Sequence, residues 1–306
     1  MRLCNNAVLV VLLARTVLAL PAHQSPTPLA PGQAAANTVL IPVTVADTKQ
    51  RLVISLGPDN FQLYENNIQQ QISTLSTLDS PASIGILFDL SGSMTSKLNP
   101  ARESILRFIA ACNSQDEFLV VGFNDHPELI ENFTNSADDL RARLATVQTG
   151  KRNALSDSVN YALDKMKNAH YEKKALLVVS DGGDNASKLS ENEVRARARK
   201  LDVEIYALGI FDPYAATPEV RTGPQFLNDL SESTGGRLIR VDEIDQMGHL
   251  AEQAANELRY QYVIGYLSHD LTHDGKWRKV KVKVNPPQGY PPLTVHARTG
   301  YYAPSQ

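Results

Sequence analysis

The sequence predicts an α/β fold: a doubly wound, mainly parallel sheet inserted in a small β-sandwich formed by N- and C-terminal strands. Between Ile84 and Leu258, short apolar runs alternate with amphipathic helical stretches, the pattern of a parallel sheet covered by helices on both faces. On either side, residues 38–78 and 259–306 switch to a two-residue period broken by turn chemistry. Neither flank is long enough to close a sandwich alone, so each is expected to need the other. The expected division is 38–78 and 259–306 as the two halves of the sandwich, with 79–258 as the α/β domain.

Residues 1–22 read as an export signal, with Arg2 as a positive start, Ala7 to Leu13 as an apolar core and Leu20-Pro21-Ala22 as a cleavage site. Arg15 interrupts the core, and the uninterrupted apolar run is far short of the roughly 20 residues a spanning helix needs. The expectation is an exported protein, periplasmic or secreted, with no stable membrane insertion after cleavage. Residues 23–37 read as a flexible linker rich in Pro, Ala and Gln. Val39, Ile41, Val43 and Val45 then share one face of a strand, and Pro42 inside it favours a sheet edge. Arg51 to Ser55, Phe61 to Tyr64 and Gln70 to Leu75 read as three more strands. Ile84 to Phe88 is apolar on both faces, as for a buried parallel strand.

Beyond it, helices are predicted over 101–112, 137–147, 155–166, 191–201, 224–233 and 243–258. They alternate with strands over 117–123, 175–180, 203–210 and 238–241. The tail returns to strands over 260–266, 277–284 and 293–298. In the second of these, Val280, Val282 and Val284 oppose Lys279, Lys281 and Lys283.

The formal net charge of −3 gives no pull toward nucleic acid, and none is expected as a partner. Cys4 falls in the signal, which leaves Cys112 on the same helical face as Ile105, Phe108 and Ile109, an inert buried thiol. A serine hydrolase would want G-x-S-x-G and a histidine partner. Leu90-Ser91-Gly92-Ser93-Met94 lacks the leading glycine and no histidine is placed by any pattern, so no enzyme is expected. His269, Asp270, His273 and Asp274 read as a solvated hairpin loop, and Arg195, Arg197, Arg199 and Lys200 as a solvated helix face.

The chemistry begins where the strand 84–88 ends. Asp89, Ser91 and Ser93 are hard oxygen donors two residues apart, and Gly92 lets the turn fold closely. One carboxylate and two hydroxyls suit Mg²⁺, which keeps several waters. Two further loops follow at the carboxyl edge of the sheet, where open α/β sheets bind ligands: Thr149 to Asp157 and Asp181 to Asn185.

The D-x-S-x-S pattern resembles the von Willebrand factor A domain, where it opens the metal-ion-dependent adhesion site. That resemblance implies a threonine ligand from the second loop and an aspartate from the third. Val179-Ser180-Asp181-Gly182 matches the third, so Asp181 is carried over. The second departs: Asn153 of Arg152-Asn153-Ala154-Leu155-Ser156-Asp157-Ser158 stands where threonine belongs. Its carbonyl would reach metal directly or through water, or the site is metal-free. Asp157, Asp184 and Asn185 read as loop-ordering residues. Phe61 to Asn66, Glu257 to Tyr266, Gly275 to Val280 and Ala297 to Ala303 are similar, in order, to the bacterial secreted VWFA-related proteins described from acidobacteria. There a glycine follows Glu65-Asn66; here Asn67 does, a residue that tolerates positive φ.

The expected metal ligands are thus Asp89, Ser91, Ser93, Asn153 and Asp181, for Mg²⁺ with Mn²⁺ or Ca²⁺ as alternatives. The expected function is a protein-interaction or adhesion module whose ion takes an acidic side chain from a partner protein. The competing expectation is a structural or assembly module with a metal-free site, acting through its β-sandwich.

Overall fold

Alternation puts Ile41, Val43 and Val45 of β1 (Thr38–Ala46) on one fully buried face. In this computed structural model the described residues are 38–77, 79–211 and 218–305, side chains of 218–220 excepted. The export signal expected over 1–22 and the linker over 23–37 lie outside them. β2 (Phe61–Glu65) and β3 (Ile68–Gln70) form a hairpin whose turn residues Asn66 and Asn67 have φ of 48° and 68°, so asparagine does tolerate that turn. The strand expected over 51–55 is only a single bridge, Leu52 to Ala46. The strand expected over 70–75 is two: after β3 the chain changes sheet at Gln71 and continues as β4 (Ile72–Ser76).

The α/β part follows as β5 (Ser83–Asp89), α1 (Leu98–Ala111), β6 (Glu117–Phe123), β7 (Pro127–Thr134), α2 (Ala137–Thr146), α3 (Leu155–Lys165), β8 (Lys174–Ser180), α4 (Glu191–Lys200), β9 (Glu204–Gly209), α5 (Pro218–Thr234), β10 (Leu238–Arg240) and α6 (Met247–Arg259). Its sheet runs β10-β9-β8-β5-β6-β7, parallel except for the β6–β7 pair. Helices cover both faces. Ile105 and Phe108 of α1 and Ala251 and Leu258 of α6 pack on one face; Val159 of α3, Val194 of α4 and Leu230 of α5 pack on the other. Each such buried Leu, Ile or Phe contributes roughly 1.5–3 kcal/mol. Cys112 is buried with the first group, and burial pushes its thiol up. Two expectations need correcting. β7 was not predicted, because PELIENFT lacks clean alternation. α5 begins at Pro218 rather than 224, so Pro224 lies inside the helix.

The tail supplies β11 (Tyr262–Leu267), β12 (Trp277–Val284), β13 (Thr294–Ala297) and an unpredicted three-residue strand, β14 (Gly300–Tyr302). Two four-stranded sheets result, β13-β1-β11-β4 and β14-β12-β2-β3, so terminal strands from both ends share each sheet. Their inner faces meet over Ile41, Val43, Leu63, Tyr262, Ile264, Tyr266 and Val280. Glu65, 2% exposed, ties the halves together by accepting from Tyr266 Oη at 2.7 Å, Ser268 Oγ at 2.6 Å and Tyr301 Oη at 2.8 Å.

Pro42 does not mark an edge strand: β1 lies between β13 and β11. The proline is accommodated because β13 pairs only from Val43 onward, so at Pro42 the strand has β11 alone beside it. The Arg298 guanidinium donates to the Leu40 carbonyl there. Other charges flagged by sequence pattern are also spent internally. Asp270 and Asp274 each stand 3.0 Å from the buried Arg278, Arg195 pairs with Asp229 at 2.6 Å, and Arg197 pairs with Asp164.

The sandwich meets the central sheet at the start of β9. Gln261 Nε2 donates to Glu204 Oε1 at 2.6 Å, and burial pushes the Glu204 carboxyl up to about 7. Nearby, burial and then the Arg237 guanidinium hold the His296 imidazole down to about 4. Glu204 binds its proton more tightly folded than unfolded. Its contribution to stability is full below its ordinary value of 4.5 and is lost as pH rises through about 7. His296 runs the other way: full above 6.5, lost as pH falls through about 4. Each effect is on the order of 3 kcal/mol. Relative to wild type, Glu204→Gln is therefore expected to gain stability toward pH 7, and His296→Gln toward pH 4.5. Urea unfolding across that range checks both; differences that stay flat with pH contradict the assignment.

Candidate metal centre

β5 and β8 are adjacent parallel strands, so their carboxyl ends deliver Asp89 and Ser180-Asp181 side by side. Asp89 is fully buried. Its Oδ1 accepts from the Ser91 amide at 2.9 Å, and its Oδ2 accepts from Ser180 Oγ at 2.5 Å and Asn153 Nδ2 at 2.8 Å. Ser91 Oγ lies 3.5 Å from Asn153 Nδ2 and 3.0 Å from Ser93 Oγ. Asp181, also buried, accepts the Gly183 amide at 3.1 Å. Asp89, Ser91, Ser93, Asn153 and Asp181 therefore gather at one place, buried except at Ser93, which faces solvent.

Burial first, and then the charge of Asp181, push the Asp89 carboxyl up to about 6. Among the described residues no lysine, arginine or histidine stands within ion-pair reach of either carboxylate, and no cluster of three or more His, Cys, Asp or Glu forms. Asn153 Oδ1 is buried and accepts no hydrogen bond, an arrangement that costs about 1–3 kcal/mol if left unmet.

The three loops lock one another in place. The Asn185 and Ala186 amides both donate to the Asn153 carbonyl at 2.9 Å, and the Asn153 amide donates to Asn185 Oδ1 at 3.0 Å. Gly150 N donates to the Leu90 carbonyl at 2.6 Å. Asp184 accepts from the Ser156 amide at 2.8 Å and Asp157 from the Leu189 amide at 3.0 Å, so these carboxylates order loops rather than join the cluster. Gly182, at φ 79°, lies against Gly223 of α5 so closely that a Cβ on either would stand within 3 Å of the other's backbone. Ser180 has no role in the sequence reading, yet it bridges Asp89 and the Gly182 amide, which its Oγ accepts at 2.9 Å. The available signal was its position, one residue before Asp181 at the end of an apolar strand.

The family model described as the von Willebrand factor type A domain matches residues 83–253, more than half of the chain. The chain belongs to the von Willebrand factor A family. A curated relative from Borreliella burgdorferi, an uncharacterized protein, is 24% identical over 190 residues; the match spans 54% of this chain and 55% of that protein, about half its length. Among solved structures, a von Willebrand factor type A protein from Catenulispora acidiphila superposes with a TM-score of 0.52 at 11% identity, covering 86% of this chain and 73% of that one. Proximal thread matrix protein 1 from the mussel byssus gives 0.50 at 15% identity over 64% of this chain and 51% of that one. At these identities the two structures speak for the fold.

The family implies a divalent ion at the three loops, and the residues present fit one. The donor set is all hard oxygen, and its carboxylates lack a cation. An orphaned buried acceptor, Asn153 Oδ1, belongs to the residue in the threonine's place. Because a Cβ at Gly223 would collide with Gly182, Gly223→Ala is expected to destabilise the protein by about 1–3 kcal/mol. Urea denaturation gives the answer, and an unchanged midpoint would remove the contact from the account of how Asp181 is held.

Proposed function

We propose that the chain is an exported, non-enzymatic interaction module that holds Mg²⁺ at Asp89, Ser91, Ser93, Asn153 and Asp181 and binds an acidic side chain of a partner protein. The observation that carries this reading is a buried, cation-free carboxylate pair beside an orphaned carbonyl, Asn153 Oδ1. Two buried anions with no counter-charge are unfavourable, and a divalent ion relieves them while giving the orphaned oxygen a direct or water-bridged partner. Mn²⁺ and Ca²⁺ accept the same oxygen donors.

Bound there, the ion would supply an open coordination position for a partner's carboxylate. The protein's own part is to fix the donors and dress the rim. Ser93 lies at the solvent side, and Thr95 and Thr149, with hydroxyl oxygens 3.1 Å apart, line the opening. Lys151 and Arg152 are exposed on the second loop, where their charge favours an acidic visitor. The competing reading, a metal-free module acting through the sandwich, would leave Asn153 Oδ1 without a partner.

Titration calorimetry with MgCl₂ tests the proposal. Wild type is expected to bind one ion, Asp89→Ala none, and Asn153→Ala with affinity reduced about tenfold or more. Equal affinity in wild type and Asp89→Ala would sink the site. Partner capture that survives excess EDTA would favour the metal-free alternative instead.

A further inference from the structure

A second surface lies on the sandwich, away from the metal loops. The sandwich joins the central sheet at the start of β9, whereas Asp89 closes β5; in a parallel arrangement these are opposite edges. On β12, Val280, Val282 and Val284 turn to the sandwich core while Lys279, Lys281 and Lys283 face solvent. Residues two apart on a strand stand roughly 6.7 Å from one another, so the three lysines leave β12 at even intervals on one face.

An ordinary solvated strand offsets such a row with acids on its neighbours, because like charges close together are unfavourable. Here the cross-strand partners are Gly300, Tyr64 and Gln62, all uncharged. Glu65, the nearest acid in β2, is turned inward and buried. Among the described residues no carboxylate stands within ion-pair distance of any of the three lysines. The row continues past Trp277, whose ring carries the Arg199 guanidinium at 5.9 Å and meets Tyr302 edge-on at 5.0 Å. A chain with a net charge of −3 thus concentrates positive charge without a nearby carboxylate on one sheet face.

We propose that this face, built from Lys279, Lys281, Lys283 and the Arg199–Trp277 corner, binds a linear acidic polysaccharide along β12. Charge complementarity requires a polyanion, since three lysines at even intervals with no nearby carboxylate match a repeating anion and nothing neutral. The aromatic rings decide against a single-stranded nucleic acid. Binding of that kind stacks bases on free ring faces. The face of Tyr64 is taken by Lys283 at 5.0 Å, and that of Trp277 by Arg199. Tyr302, 42% exposed, is the ring at this corner with no cation over it, and one ring is no platform for successive bases.

The full chain is tested against immobilised polygalacturonate by biolayer interferometry at low ionic strength. Wild type is expected to bind and to release with added NaCl. The triple variant Lys279→Gln, Lys281→Gln, Lys283→Gln is expected to bind on the order of tenfold more weakly. Lys281→Glu, which reverses the central charge, should weaken binding too and serves if the triple variant proves unstable. A charge-matched control, Lys49→Gln, Lys167→Gln, Lys188→Gln, is expected to bind as wild type does. Unchanged binding by the β12 variants, or an equal loss in the control, overturns the proposal. Tighter binding to a dT20 oligonucleotide or to phosphatidylglycerol vesicles than to polygalacturonate overturns it in favour of those ligands.

Discussion

Two carboxylates buried side by side, with no cation within ion-pair reach among the described residues, set the terms for the upper edge of the sheet, where β5 and β8 end. Asp89 and Asp181 reach it because β5 and β8 are neighbours that end together. Neutral donors from Ser91, Ser180 and Asn153 carry Asp89 part of the way, yet burial and Asp181 still raise its carboxyl to about 6. Everything nearby keeps this arrangement rigid. Asn153 is gripped through its own main chain, Asp157 and Asp184 bind amides, and Gly182 lies flat on Gly223. These hydrogen bonds hold the oxygen donors in fixed positions, as the proposed ion site requires.

The lower edge solves the opposite problem. There, Arg237 meets Glu257 through two hydrogen bonds, of 2.8 and 2.5 Å, and the Gln261 amide donates to Glu204. This edge is where the sandwich docks, and its strongest ion pair is internal, although His296 Nε2 and Arg298 Nε are buried without a partner. The two edges differ in that the Arg237–Glu257 pair has its counter-charge inside the chain, whereas Asp89 and Asp181 have none within ion-pair reach among the described residues.

Much of this was legible in the sequence, for physical reasons. Buried parallel strands are apolar on both faces and amphipathic helices keep their period, so β5, β6, β8 and β9 stood out, as did the split sandwich. The Asp89 loop was legible because its donors are local. Other features depend on tertiary contacts that no window of sequence contains. Ser180 acts only because β8 lies beside β5. The orphaned oxygen of Asn153 is visible only after every neighbour is placed. β7 and β14 are too irregular or too short to carry a period, and the run 51–55 fails as a strand because only Leu52 finds a partner. Pro42 misled for a subtler reason: being an edge is a property of a position along a strand, and β1 is an edge at Pro42 but not at Val43.

The pairing of Thr38 with Leu267, across almost the whole described chain, has a consequence for the order of assembly. Closing so long a loop is entropically costly while the intervening chain is disordered. Once the α/β insert has condensed, its two ends stand together at the lower edge, and β1 and β11 need only zip. On loop-closure grounds the sandwich is therefore expected to close after the insert, whose ends are tied by the Arg259–Asp79 pair at 2.6 Å.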